Sequence, residues 1–291
     1  MKHILLLLIF FITVNGFAQN STSIVKPLNQ RLKHPAKTSL TGLLNESKWN
    51  ELFPNRYQFF TKTKKKPDFY SFKAFVAASR LFPEFLSGDL ITQKRELAAF
   101  LTNIAQETSG GWAEAPGGYF KWGLYFLEEK QDSFLTIYAD LSKKNYLPVA
   151  GKSYYGRGPK QLSWNYNYGQ FSEAWFGSKD SLLLHPEWLA KDPVLSFASA
   201  IWFWMSPQFP KPSCHDIMTG KWKPNENDLL KGRLPGFGAT VNVINGGVEC
   251  GTGKELQKTA YRYQYYQYFC TYFRVSPGEN ISCNSQRPFG Q

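Results

Sequence analysis

The sequence predicts a mainly helical fold with minimal strand, in which helices form a scaffold and loops carry the chemistry. Three observations lead there. Gln93–Gln106 places Leu97, Phe100, Leu101, Ile104 and Ala105 at i, i+3, i+4, i+7 and i+8, the spacing of one apolar helix face. Asp192-Pro193 opens a second such pattern, an N-cap followed by proline at the first helical position, with Val194, Phe197, Ala198, Ile201, Trp202 and Met205 on the buried face. Between the helical patterns lie the Gly- and Pro-rich loops Ala115–Gly118, Tyr154–Gly169 and Leu234–Gly238, and loops of this kind carry function.

Taken in order, residues 1–18 read as a secretory signal. Lys2 and His3 precede the apolar run Ile4–Val14, and Gly16-Phe17-Ala18 offers a small-x-small cleavage site. The run is shorter than the roughly 20 residues needed to span a bilayer, and no later segment qualifies. A secreted protein, extracellular or periplasmic, free of the membrane after signal cleavage, is therefore expected. Residues 19–39 are polar and basic with little periodicity, a flexible leader, and residues 40–291 read as one domain. Within it, Leu43–Phe53 and Ser71–Leu81 read as helices, with the basic run Lys62–Lys66 as a charged loop between them. Gly110-Gly111 stops the helix that ends at Gln106. A short ribbon around Lys160–Tyr168 is the main strand expected. Lys254–Phe273 forms the last helix, its rings Tyr261, Tyr265, Tyr268 and Tyr272 serving packing.

The 291 residues, 43% hydrophobic, can bury a sizeable core. The formal charge of +12 is spread along the chain, with no zinc-finger, helix-turn-helix or RNA-binding signature, so no nucleic-acid partner is expected. A basic surface does favour an anionic wall polymer. Cys214, Cys250, Cys270 and Cys283 are an even set in an exported chain, which suggests two disulfides with three possible pairings, buried free thiols being the alternative. There is no Cys-x-x-Cys pair or tight Cys/His cluster, so neither metal nor cofactor is expected.

Two stretches carry the chemistry. Gln106–Glu129 reads QETSGGWAEAPGGYFKWGLYFLEE, with Glu107 at a helix end just before Trp112, and Glu128 and Glu129 after the excursion. Tyr154–Gly169 reads YYGRGPKQLSWNYNYG and alternates rings with Gln161, Ser163, Asn165 and Asn167. Rings cover the apolar C–H face of a pyranose while amides and hydroxyls fix its hydroxyls, so Trp112, Tyr154 and their neighbours are candidate sugar contacts. Two carboxylates beside such a surface suggest glycosidic cleavage. Burial against rings would raise the carboxyl of Glu107 and keep it protonated as a proton donor. An exposed helix-end glutamate is the alternative, and the local pattern does not choose between Glu128 and Glu129. Ser163 has no histidine partner for a triad. Asn242–Gly247 has turn character.

The pieces KRELAAFLTNIAQETSGGW, KWGLYFLEE, YYGRGPKQLSWNYNYG, DPVLSFASAIWFWM, KPSCHDIMTG, PGFGATVNVINGGVECG and SQRPF, in this order, resemble the family 19 glycoside hydrolases, the plant-type and bacterial chitinases. The resemblance implies a two-lobed, lysozyme-like fold with a sugar cleft and inverting endo-hydrolysis of β-1,4-linked N-acetylglucosamine polymer; a monomer is expected. It places Glu107 at the general acid, Glu129, 22 residues further on, at the general base, and Ser163 at the residue that holds the attacking water. Gln161, Tyr166, Asn167, Lys211 and Asn245 match substrate contacts, and Arg262 with Glu249 matches a charged network supporting the base. Cys250–Cys283 is the implied disulfide, with Cys214–Cys270 following by elimination. Gln106 stands where the family usually has histidine, and Tyr125 where plant members often have cysteine. A peptidoglycan-cleaving wall hydrolase and a non-catalytic chitin-binding relative are the rival functions.

Overall fold

The computed structural model describes residues 27–33, 35–59, 62–65, 67–129, 138–253 and 256–290. The proposed signal segment and the start of the leader lie outside these residues. The helices are α1 (Leu28–Arg31), α2 (Leu40–Leu43), α3 (Glu46–Leu52), α4 (Phe72–Ser79), α5 (Leu90–Glu107), α6 (Asn165–Phe176), α7 (Asp180–Leu184), α8 (Pro193–Met205), α9 (Cys214–Met218), α10 (Glu226–Leu230), α11 (Phe237–Glu249) and α12 (Gln257–Tyr272). Among the described residues the strands are β1 (Gln58–Phe59) and β2 (Lys62–Lys65), paired as one antiparallel ribbon. None of the described helices is long and apolar enough to cross a membrane.

The mainly helical expectation holds, with local corrections. The basic run read as a loop supplies β2. The ribbon expected at Lys160–Tyr168 is instead a turn followed by α6, leaving only single bridges from Arg157 to Glu128 and Leu162. Positive φ at Gln161 (49°) and Trp164 (75°) reverses the chain there, which an extended strand cannot accommodate. Burial of Tyr168, Phe171 and Trp175 then holds α6 against the core. The Asn242–Gly247 stretch is likewise inside α11, broken only at Asn245 (φ −144°, ψ 31°).

Helix α5 is the axis of the molecule and packs against α9, α11 and α12. Its apolar stripe is only part of what is buried: every residue from Glu96 to Ala105 is inside. A charged residue there must be satisfied internally. Glu96 Oε1 accepts from Trp204 Nε1 at 2.9 Å and meets His215 Nδ1 at 2.7 Å. Phe100 stacks on Phe75 at 5.7 Å and meets Trp204 edge-on at 5.5 Å, and Phe75 contacts Phe197 at 5.1 Å, joining α4, α5 and α8. The N-cap predicted for α8 is present: Asp192 Oδ1 accepts from the Val194 and Leu195 amides at 2.8 and 3.1 Å.

Cys250 and Cys283 are bonded, their Cα atoms 5.0 Å apart across 33 residues. The Cys214–Cys270 pairing is corrected: both are free and buried. Cys214 packs on α11, its Sγ 4.0 Å from the Thr240 carbonyl, while Cys270 lies on α12, four residues after Tyr266. Burial raises both thiols, that of Cys270 to about 11, so neither is a ready thiolate. Non-reduced peptide mapping should recover Cys250–Cys283 alone, with Cys214 and Cys270 alkylated only after unfolding. Reduction should cost about 2–4 kcal/mol of stability.

Candidate active site

The site forms where α5 ends. Thr108, the residue after Glu107, turns its hydroxyl back to the Ile104 carbonyl at 2.6 Å, closing the helix. The same hydroxyl accepts from the Leu124 amide at 2.7 Å, and the Thr108 carbonyl accepts from Tyr125 and Phe126 at 3.2 and 3.1 Å. The excursion from Ser109 to Gly123 thus begins and ends on one residue. Gly111 (φ 94°) is required in it, because a Cβ there would overlap the Tyr119 carbonyl. Past this clasp, Gly158 N donates to the Leu127 carbonyl at 2.8 Å and Glu129 N to the Gly156 carbonyl at 2.9 Å. Backbone bonds therefore lock the segment carrying Glu129 to the one carrying Lys160, Gln161 and Ser163.

Glu107 has a side chain only 17% exposed and sits among charges. Its Oε1 accepts from Arg262 Nη2 at 2.9 Å, and its Oε2 lies 3.8 Å from Lys160 Nζ. Arg262, from α12, also bonds Glu249 Oε1 and Oε2 at 2.8 and 3.1 Å and Asn103 Oδ1 at 2.8 Å. Asn245 Nδ2 donates to Glu249 Oε1 at 2.7 Å. The Arg262–Glu249 pair is present as expected, but it reaches Glu107 directly rather than Glu129. The expected rise in the Glu107 carboxyl is also reversed. Desolvation does push it up, but Lys160 and Arg262, with a contribution from Lys258, outweigh it and hold it below the ordinary range.

Glu128 and Glu129 are separated by their partners. Glu128 Oε2 takes Arg157 Nε and the Tyr155 hydroxyl, both at 3.3 Å. Both oxygens of Glu129 lie within reach of the Tyr138 hydroxyl, at 2.8 and 2.7 Å, and Gly156 N donates to Oε2 at 3.3 Å. Burial and then the carboxylate push the Tyr138 hydroxyl up to about 12, so it remains a donor. Tyr138 lines a cavity of about 330 Å³ together with Glu107, Lys160, Ser163, Trp164 and Phe203, placing Glu129 one hydrogen bond from that wall.

Gln161, Tyr166, Asn167, Lys211 and Asn245 line the same cavity. Ser163 donates to the Gln161 carbonyl at 2.9 Å, Asn167 Nδ2 to the Ser163 carbonyl at 2.8 Å, and Lys211 Nζ to the Val243 carbonyl at 2.9 Å. Tyr166, Gln208 and Lys211 also border a second cavity of about 640 Å³ that continues the cleft past Phe209 and Lys143. Two expected contacts fall elsewhere. Tyr154 is 1% exposed, and its hydroxyl bonds the Leu183 carbonyl and the Val149 amide at 2.8 and 2.9 Å, making it a core residue. Trp112 packs on Trp122 at 5.2 Å and does not line the cavity. The sequence reading missed Tyr138, Lys160, Trp164, Phe203 and Gln208. Only the aromatic-rich setting of Trp164 and Lys160 hinted at any of them. No cluster of three or more His, Cys, Asp or Glu suited to a metal occurs among the described residues.

The family model described as "Chitinase class I" matches residues 43–283. Endochitinase A2 of Pisum sativum is 46% identical over 253 residues, covering 87% of this chain and 75% of that protein. The Inactive chitinase-like protein 1 of Hevea brasiliensis is 44% identical over 252 residues, covering 86% of this chain and 77% of that protein. Among solved structures, chitinase C from Streptomyces griseus superposes with a TM-score of 0.64 at 30% identity, covering 83% of this chain and 97% of that one.

Proposed function

The chain belongs to the class I chitinase family of glycoside hydrolases, and from that premise we propose that it is an exported endochitinase that cleaves β-1,4 bonds between N-acetylglucosamine units with inversion. The observation that carries this reading is a shielded carboxyl, Glu107, on the cavity wall, with a more exposed carboxylate, Glu129, hydrogen-bonded to Tyr138, which lines the same cavity. Inverting cleavage needs a donor for the leaving oxygen and a base for water on the opposite face, roughly 6.5–9.5 Å apart. Glu107 gives its proton to the glycosidic oxygen as the C1–O bond breaks and the electron pair passes to that oxygen. Glu129 takes a proton from the water whose oxygen forms the new bond to C1. Ser163 holds that water, and Gln161, Tyr166, Asn167, Lys211 and Asn245 grip the sugars. Arg262 and Glu249 fix the acid.

One relative, of Hevea brasiliensis, is an inactive chitinase-like protein, but a non-catalytic binder would not require both Glu107 and Glu129. Early-time proton NMR of a β-linked oligomer digest tests the mechanism. A single displacement releases α-anomers first. Predominant β-anomer before mutarotation would refute it. Digestion of colloidal chitin in preference to purified peptidoglycan is expected, and the reverse preference would identify a wall hydrolase.

A further inference from the structure

Lys160 is a poor candidate for a structural lysine. It is 9% exposed, and its ammonium lies 4.7 Å from the Phe203 ring centroid and 3.8 Å from Glu107 Oε2. Burying a lysine costs free energy unless its charge is used. The fold does not need this one to satisfy Glu107, because Arg262 already occupies Oε1 and ties that carboxylate to α11 and α12. Lys160 instead faces the cavity from a loop fixed by Gly158 N on the Leu127 carbonyl and Gln161 Nε2 on the Gly158 carbonyl at 2.9 Å.

We propose that Lys160 is a positioning residue for the reaction, whose ammonium clamps the free oxygen of Glu107 and confines turnover to more acidic solution. The inference rests on Glu107 being the acid. A carboxyl that must hold a proton between turnovers is opposed by every nearby cation, and the same cation stabilises the carboxylate that forms as the proton leaves. Lys160 therefore strengthens the acid and narrows the pH range in which it is loaded. The other charges facing this point are Arg262 and Lys258 from α12 and Glu249 from α11, with Lys211 beyond Lys160. Lys211 lines the same cavity as Lys160, and burial and then Lys160 lower its ammonium.

The test is the pH profile of kcat/KM on an N-acetylglucosamine oligomer for wild type, Lys160→Met and Lys160→Arg. An opposite charge at this range lowers a carboxyl by about 1–3 units, so removing it should raise Glu107. The acid then stays protonated to higher pH. The alkaline limb of Lys160→Met should move up by about 1 pH unit or more while its acidic plateau falls. Lys160→Arg should keep the limb near wild type. Lys160→Gln replaces the methionine variant if that variant does not fold, with the same expected shift. A change in KM or stability alone, with the limb unmoved in a folded neutral variant, overturns the proposal. Glu107→Gln separates the two levels. If it remains active, the acid assignment fails; if it is inactive and the neutral variant's limb is unmoved, only the role of Lys160 fails.

Discussion

Glu107→Gln is expected to lower turnover on N-acetylglucosamine oligomers by about 10²–10⁴-fold, the range for losing a general acid. Shape is nearly unchanged, and the amide oxygen can still accept from Arg262 Nη2, so oligomer affinity should survive. Calorimetric binding with steady-state kinetics separates the two effects. Glu129→Gln should lose a comparable share by leaving water unactivated. Ser163→Ala should lose less, since it removes only one contact to that water. Near-wild-type turnover in Glu107→Gln would remove the acid assignment.

Arg262→Ala carries the largest expected stability loss. Arg262 and Glu249 have side chains 4% and 3% exposed, and the guanidinium spans Asn103, Glu107 and Glu249. Truncation leaves two carboxylates and an amide without their shared donor. Breaking a buried pair from one side typically costs about 3–5 kcal/mol. That is a large fraction of the roughly 5–15 kcal/mol that keeps a domain folded. Arg262→Lys should recover little, because one ammonium cannot reproduce the fork that serves three partners. Thermal and urea denaturation measure the loss. A variant that melts with wild type would mean the network serves catalysis alone.

Much of the scaffold was legible in the sequence because local signals agreed with burial. Asp192-Pro193 marks the start of α8, and the apolar stripe of Gln93–Gln106 marks α5. Helix α6 was not legible. Its Asn-Tyr-Asn-Tyr-Gly start has no apolar stripe, and Tyr168, Phe171 and Trp175 make it a helix through tertiary contacts. The glycines of α11 looked like a turn for a similar reason. A Cβ at Gly238 would overlap the Ser282 carbonyl and one at Gly246 would meet the Asn242 side chain, so these two record close packing, whereas Gly247 faces open space. In the site, Glu107 and Glu129 stand at marked positions, but the partners that set their chemistry come from distant segments. Arg262 lies 155 residues from Glu107 in sequence, and no local pattern pairs them. The sign of the Glu107 shift was missed because desolvation can be guessed from neighbouring rings, whereas Lys160 and Arg262 are brought in by the fold.

The Thr108 clasp has an evolutionary consequence. The chain leaves Thr108 at Ser109 and returns to it at Leu124, so one residue anchors both ends of the path between Glu107 and the segment that leads to Glu129. At its tip, Gly117 and Gly118 have open space where a side chain would begin. Closing a longer loop onto the same anchor is inexpensive, about 0.6 kcal/mol for each doubling of length. Insertions at that tip can therefore accumulate and reshape what the protein meets at this edge, while the Thr108 anchor at the base of the loop stays in place.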